Sequence, residues 1–222
     1  MARERQANEA GAKPKGVATK ASKSAKGGPV AATRVVELVY EALETELGGV
    51  EVYRTALECV RNEDLREEWT KYLAETEEHV RVMTQVCLEL GLDPDRDTPG
   101  RQVVRHVGKS LVKAMQLALG SGTPEAAEIV AAECVVHAET KDHANWELMG
   151  KVGKEGSGTE AAVLRAAYER CEDEEDEHLY HSQGWMRELS IAALGFEAQL
   201  PPPEEEADVH TAAEAAEAKQ GR

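Results

Sequence analysis

Apolar residues recur at steps of three and four along most of the chain, which is the period of one face of an amphipathic helix. The pattern predicts four long helices and one shorter helix. They span about residues 33–61, 65–91, 101–119, 124–152 and 159–194. No stretch alternates apolar and polar residues in the manner of a strand. The sequence therefore predicts an all-α protein.

The breaks between these patterns indicate how the helices connect. A tight turn at Asn62 and Asp64 joins the first two long helices, and a glycine-rich segment at 153–158 joins the last two. Short links of this kind favour helical hairpins. Between the hairpins the chain spends residues 92–123, which include the shorter helix. We therefore expect an antiparallel four-helix bundle with a crossover connection that contains a short extra helix.

Charge is distributed unevenly between the middle of the chain and its two ends. Residues 1–29 carry seven basic residues against two acidic ones and no aromatic side chain, so we expect a disordered basic tail. This tail either keeps the protein soluble or makes weak contact with nucleic acid or another acidic surface. Residues 201–222 begin with prolines and are acidic, which predicts a second disordered tail. The bundle is assigned to residues 30–200.

The composition narrows the class of protein further. The net charge of −16 disfavours nucleic acid as a partner for the body of the protein. No apolar run approaches the roughly 20 residues of a membrane span, and the N-terminus lacks the apolar core of a signal peptide. The four cysteines fall on four different predicted helices, which argues against a disulfide framework or a cysteine-based zinc site. We expect a soluble, cytoplasmic protein with no membrane partner.

Acidic and histidine side chains interrupt the apolar face of each long helix. Glu175 and His178 are three residues apart, which places both on one face of the last long helix. Burying a carboxylate and an imidazole without a partner is costly, and a metal ion is a partner that suits both. Comparable residues fall on the other three long helices. The candidate metal ligands are Glu46, Glu75, His79, Glu139, Glu175 and His178.

Six oxygen and imidazole donors near the middle of four helices predict a site for two metal ions. Such donors suit iron or manganese better than magnesium or a thiolate-bound zinc. Carboxylates that bridge two divalent cations offset their charge and leave positions open for dioxygen or peroxide. The predicted cofactor is therefore two iron or manganese ions, and the predicted reactant is a small oxidant.

Each of these residues also has a purely structural interpretation. A single inward glutamate such as Glu46 can be a surface residue whose helical phase is misjudged. His137, His143 and His181 are more simply edge residues or supports for metal ligands than ligands themselves. The tyrosine and tryptophan side chains line the core by default. The case for a metal site thus depends on the coincidence of donors across four helices.

The arrangement of these residues resembles the ferritin-like superfamily over about residues 33–195. Glu46 with Tyr53 two turns later is similar to the first-helix pattern of ferritins and bacterioferritins. Glu139 looks like their third-helix carboxylate. Glu175 with His178 resembles the Glu-x-x-His of bacterioferritin and rubrerythrin.

Within that superfamily the chain is most similar to the stress-associated YciE/YciF-like branch. The similarity lies in residues 72–80, 88–91 and 137–139. One position departs from the ferritin pattern, because Thr76 stands three residues before His79 where ferritins carry a glutamate. Glu75 then reaches the metal from a different angle, or one metal position is incomplete.

The resemblance implies a compact homodimeric protein whose dimetal site reacts with dioxygen or peroxide, as an oxidase or peroxidase in oxidative-stress protection. Tyr53 is the candidate catalytic residue beside the metals, as a redox or hydrogen-bonding group. Two alternatives stay open. One is a metal-free structural or interaction module that has kept the fold. The other is a storage or DNA-protecting assembly that uses the basic tail.

Overall fold

The computed structural model describes residues 29–220, with side chains from residue 33 onward. This part of the chain contains seven helices and no strand, so the prediction of an all-α protein is confirmed. The helices are α1 (Pro29–Cys59), α2 (Glu63–Glu89), α3 (Pro99–Ser121), α4 (Pro124–Glu155), α5 (Gly158–Ala193), α6 (Pro203–Glu206) and α7 (Ala212–Gln220). The basic segment that was expected to be disordered and to touch nucleic acid lies outside the described residues, apart from Pro29.

Polar side chains fix where three of the helices begin. The Asn62 side chain accepts a hydrogen bond from the Leu65 amide and caps α2. Thr98 caps α3 and Thr123 caps α4 in the same way, each followed directly by a proline. A capping oxygen satisfies an amide that the first turn leaves without a partner, and proline lacks the amide that would need one. These capping contacts fix the residue at which each of the three helices begins.

Two apolar clusters form the core, and every long helix contributes to both. The first cluster surrounds Trp69 and Trp185, and the second surrounds Trp146. Along α1 and α5 the chain meets the second cluster before the first, whereas along α2 and α4 it meets the first before the second. Helices α1 and α5 therefore run opposite to α2 and α4. A layer of buried polar side chains lies between the two clusters on all four helices.

Helix α3 packs across α1 and α4. The two helices α1 and α3 approach closely at Gly48 and Gly108, where a Cβ built on Gly108 would lie 3.6 Å from the Gly48 Cα. Buried Glu44 binds Arg101 at 2.8 Å and Arg105 at 2.6 Å. These ion pairs and the glycine contact hold the connecting helix against the body of the protein.

The acidic C-terminal segment differs from the disordered tail that was expected over residues 201–222. As far as residue 220 it contains α6 and α7, and it packs along α5. Arg187 binds the Glu204 carboxylate through two nitrogens, at 2.5 and 2.7 Å. Gly184 leaves room for Pro202, because a Cβ at residue 184 would lie 2.9 Å from the Pro202 side chain. Composition alone does not reveal such a docking surface, which is why an acidic, proline-rich stretch predicts a disordered tail.

Helices α4 and α5 approach each other closely at Gly153. A Cβ at this position would lie 2.7 Å from the backbone of Arg165, which cannot yield without moving a helix. Gly153→Ala is therefore expected to destabilise the protein by about 1–3 kcal/mol, the usual cost of overpacking. Thermal unfolding followed by far-UV circular dichroism measures this.

Gly120 supplies the matched control for that substitution, because it is exposed near the end of α3 and a Cβ there meets nothing within 4 Å. Gly120→Ala should leave stability unchanged or raise it by up to about 1 kcal/mol through helix propensity. Equal effects of the two substitutions would contradict the close approach of α4 and α5.

The four cysteines lie on α1, α2, α4 and α5. All four are buried, and none of them forms a disulfide bond. No helix within residues 29–220 is both long enough and apolar enough to cross a membrane.

Candidate metal centre

The polar layer between the two apolar clusters contains six acidic or histidine side chains that are almost completely buried. All four long helices contribute, because each places one or two such residues at its middle, on the face that points into the core. They are Glu46 on α1, His79 on α2, Glu139 and Asp142 on α4, and Glu175 and His178 on α5.

Three of these side chains form one group that can hold a metal ion. His79, Glu175 and His178 each direct a donor atom so that the three atoms lie within 4.8 Å of one another. The Nδ1 of His79 lies 2.7 Å from Glu175 Oε1. The two imidazole rings lie 5.8 Å apart, centroid to centroid. Two nitrogens and one carboxylate oxygen thus converge on one point in the core.

A second group consists of carboxylates only. Donor atoms of Glu46, Asp142 and Glu175 also lie within 4.8 Å of one another. The Trp146 indole donates a 2.8 Å hydrogen bond to Glu46 Oε1 and fixes the orientation of that carboxylate. Glu175 belongs to both groups, so its carboxylate is shared by the two candidate ion positions. This is the arrangement expected of a carboxylate that bridges two cations.

Several donor atoms in this layer lack a hydrogen-bond partner among the described residues. They are Glu46 Oε2, Glu139 Oε2, Asp142 Oδ1 and Glu175 Oε2. A buried polar atom without a partner costs about 1–3 kcal/mol, and more when it is charged. Four such carboxylate oxygens in one layer fit a site for a cation better than they fit ordinary packing.

The carboxyl groups of this layer are difficult to ionise in the absence of a cation. Burial raises the pKa values of Glu46, Asp142 and Glu175 well above the ordinary range, and repulsion among these neighbouring carboxylates adds to the effect. Burial, followed by repulsion from Asp142, raises the pKa of Glu139 to about 8. Without metal, the site therefore holds protons where a cation would otherwise supply positive charge.

The surroundings of the two histidines shift their pKa values in opposite directions. Burial acts to lower the pKa of His79, but contacts with Cys171 and Glu174 outweigh it and raise the pKa to about 9. For His178, burial and repulsion from His79 lower the pKa to about 3. A neutral imidazole is the form that binds a metal, so His178 is ready to coordinate and His79 must release a proton.

Acidic residues at the edge of the site orient both imidazoles through their outer nitrogens. Glu174 lies 2.7 Å from His79 Nε2, and Glu75 lies 2.9 Å from His178 Nε2. A carboxylate partner of this kind fixes the ring and strengthens its other nitrogen as a ligand. Because the Nε2 atoms are engaged in this way, the Nδ1 atoms are the ones that face the candidate ions.

Four of the six predicted ligands, Glu46, His79, Glu175 and His178, belong to the two groups. The other two lie beside them. Glu139 Oε2 is 3.8 Å from His178 Nδ1, on the inner side of the site. Glu75 is only partly buried and contacts His178 from the outer side. Both residues therefore lie next to the two groups, with Glu139 on the core side of His178 and Glu75 on the surface side.

Asp142 was not predicted from the sequence, although a signal for it was available. It follows Glu139 by three residues, the same spacing that identified Glu175 and His178. A stripe drawn through Glu139, His143 and Trp146, at steps of four and three, leaves Asp142 off the inner face. In the structure Asp142 is buried, whereas His143 lies at the edge and contacts Asp176 at 2.6 Å.

The remaining residues singled out in the sequence lie around the site rather than in it. Thr76 is buried and donates a 2.8 Å hydrogen bond to the Tyr72 carbonyl within α2, so it belongs to neither group. His181 contacts Glu68 at 2.9 Å, and His137 is exposed. The Tyr53 ring lies 6.2 Å from the His178 ring.

Compared with known proteins, the chain matches no family model, no curated protein and no solved structure.

Proposed function

We propose that this chain is a ferritin-like four-helix-bundle protein that binds two iron or manganese ions and reacts with dioxygen or peroxide. The observation that carries the proposal is the pair of three-residue groups that share Glu175. Each group brings its donor atoms together, and one carboxylate oxygen each of Glu46, Asp142 and Glu175 lacks a hydrogen-bond partner among the described residues.

The donor set fits two divalent cations in charge and in chemical type. Glu46, Glu139, Asp142 and Glu175 supply four negative charges when ionised, which balance two divalent cations. Carboxylate oxygens with two imidazoles are donors that iron and manganese accept. Asp142 adds a carboxylate from α4, so the site does not depend on the glutamate that Thr76 replaces on α2.

The course of the long helices supports the ferritin-like assignment. Opposite directions for α1 and α5 on one hand and α2 and α4 on the other require a connection that returns along the bundle between α2 and α4. The segment that contains α3 provides this connection. A bundle with one long crossover and metal ligands at the middle of its helices is the ferritin-like architecture.

Each residue near the site has a definable task in this proposal. A bound iron or manganese pair would supply one-electron redox chemistry toward dioxygen or peroxide. Trp146 holds Glu46, and Glu75 and Glu174 hold the two imidazoles, so the donors are oriented before a metal arrives. The buried position of the layer excludes water from the reacting groups. Tyr53 stays a candidate catalytic residue on its position beside His178.

The proposal is tested by the metal content of the protein purified without added metal and without a histidine tag. Elemental mass spectrometry should find about two iron or manganese ions per chain, as two groups sharing one carboxylate require. A metal-free preparation should take up the same number of ferrous or manganous ions under anaerobic conditions. No metal and no uptake would refute the dimetal site and favour the metal-free module.

A further inference from the structure

A second buried polar cluster adjoins the metal centre toward the end of the protein where the C-terminal segment docks. It consists of Glu68 and Tyr72 on α2, His181 and Trp185 on α5, and Glu205 on α6. Tyr72 and Trp185 are completely buried, and His181 is nearly so. The proposed metal chemistry assigns no task to this cluster.

Tyr72 is the member of this cluster that touches the metal centre. Its ring lies 4.2 Å from the His178 ring, centroid to centroid, with the planes tilted by 42°. This is closer than the contact between His178 and Tyr53, which lie 6.2 Å apart. Aromatic contact at this distance places the Tyr72 ring directly beside a candidate metal ligand, with no side chain between them.

The Tyr72 hydroxyl is surrounded by groups that can take its proton. It donates a hydrogen bond to Glu68 Oε1 and lies 3.1 Å from His181 Nδ1. That nitrogen in turn lies 2.9 Å from the same Glu68 oxygen. The Trp185 indole donates to the other Glu68 oxygen. Although burial acts to raise the pKa of Glu68, hydrogen bonds from His181, Glu205 and Tyr72 outweigh it and lower the pKa, which favours the ionised carboxylate.

Tyr53 has no comparable arrangement. Its hydroxyl lies beside Glu139, the carboxylate that can accept its hydrogen bond. Glu139 belongs to the metal centre and would be engaged by a cation, so it would not be free to take the proton. A buried phenol can lose an electron readily only if its proton has somewhere to go, since a charged phenol radical is costly in an apolar interior. Tyr72 meets this condition and Tyr53 does not.

We infer that Tyr72 is a redox-active residue that passes one electron to the oxidised metal centre through His178 while its phenolic proton moves to Glu68. The inference rests on the proposed dimetal function. In this step the Tyr72 O–H bond breaks and a Glu68 O–H bond forms. The electron would go to the oxidised metal centre that His178 would help to hold, and a neutral tyrosyl radical remains on Tyr72. A reductant in solution, such as ascorbate, restores the phenol by returning one electron, and the proton comes back from Glu68.

The test is electron paramagnetic resonance on the full-length protein loaded with ferrous ion, freed of excess iron, mixed with hydrogen peroxide and frozen within seconds. The wild type should show a tyrosyl radical signal, and Tyr72→Phe should reduce it at least tenfold with unchanged iron content. Glu68→Gln should also reduce the yield, because glutamine cannot accept the proton. Tyr53→Phe tests the competing tyrosine on the same samples, and Tyr40→Phe, which removes a hydroxyl that is buried without a partner, is the control that should retain the signal.

Iron content measured on the same samples separates the possible failures. A radical that persists in Tyr72→Phe or disappears in Tyr53→Phe, with two irons bound, would overturn the role of Tyr72 and leave the dimetal function intact. Two bound irons and no radical in the wild type would do the same. A wild type that binds no iron would refute the dimetal function, and the inference with it.

Discussion

Replacing Glu175 with glutamine is expected to abolish the binding of both metal ions without disturbing the fold. Glu175 is the single residue common to both three-residue groups, so its loss removes a charged donor from each candidate position. Even loss of a group that only supports a ligand typically lowers metal affinity 10–100-fold, so loss of a shared ligand should cost about 100-fold or more at each site. Titration with manganous ion, followed by equilibrium dialysis and elemental analysis, measures the stoichiometry and the affinity.

Glutamine is chosen because it removes the charged metal ligand while keeping the size and shape of the side chain. Burial, followed by repulsion from neighbouring carboxylates, raises the pKa of Glu175 well above its ordinary value, which disfavours the ionised form in the metal-free protein. A neutral amide of nearly the same shape should therefore leave the metal-free protein as stable as the wild type. Glu169→Gln is the matched control, because Glu169 is exposed on the same helix. Retention of two ions by Glu175→Gln would contradict the shared position.

Single-group variants sharpen the same experiment. Asp142 belongs only to the carboxylate group and His178 only to the group that contains both imidazoles. Asp142→Asn and His178→Gln should each bind about one ion per chain, whereas Glu175→Gln should bind none. If all three variants lost both ions, the two positions would be a single cooperative site rather than two that share a bridge.

The sequence predicted the helices well because their signals are local. Apolar periodicity predicted the four long helices and α3, and the turn predicted at Asn62 is where α2 begins in the structure. Helix-forming patterns of this length are read from neighbouring residues alone. The docking of residues 201–220 on α5 was missed for the opposite reason. It depends on Arg187 and Gly184, which are close to that segment only once the chain has folded.

The candidate metal centre could be predicted from the sequence in outline but not in detail, again for a physical reason. Helical phase indicated that Glu46, His79, Glu175 and His178 point inward, and the structure brings these four together. Phase read from sequence alone is uncertain by about one residue position, so it does not place Asp142 on the inner face of α4. The cluster around Glu68 and Tyr72 depends on contacts between α2 and α5 more than 100 positions apart in sequence. Single-helix patterns carry no information about such pairs.

Between pH 6.5 and 8 the metal-free protein should lose stability as the pH rises. In the unfolded chain the carboxyl groups are already ionised in this interval, because their ordinary pKa values lie near 4. In the folded protein Glu139 keeps its proton up to a pKa of about 8. The folded state therefore binds more protons than the unfolded state, and its stability falls with rising pH. Each carboxyl that stays protonated in the folded protein lowers the free energy of unfolding by about 2 kcal/mol between pH 6.5 and 8. This corresponds to a fall of roughly 4–8 °C in Tm.

The two histidines do not reverse this expectation. The folded pKa of His79, at about 9, lies above its ordinary value of 6.5, so His79 also favours folding at low pH and loses that contribution as the pH rises. The folded pKa of His178 is lowered to about 3, which makes stability rise with pH, but only up to its ordinary value of 6.5. Above that pH the carboxyls and His79 act in the same direction. Thermal unfolding in chelator at several pH values measures the slope, and a constant Tm from pH 6.5 to 8 would contradict the buried protons.

Bound metal should reverse the sign of this pH dependence. A cation replaces the protons on the carboxyls and on His79, so metal binding releases protons and strengthens as the pH rises. At a free manganous concentration of about 100 times Kd, two sites should add about 5 kcal/mol, or roughly 10–20 °C in Tm. At the same free manganous concentration, this gain in stability should be larger at pH 8 than at pH 6.5. In Glu175→Gln the gain should vanish, because the cation then has no shared carboxylate to displace a proton from. A buried layer of carboxylates that destabilises the metal-free protein and stabilises the loaded one would show that folding and metal binding depend on the same few side chains.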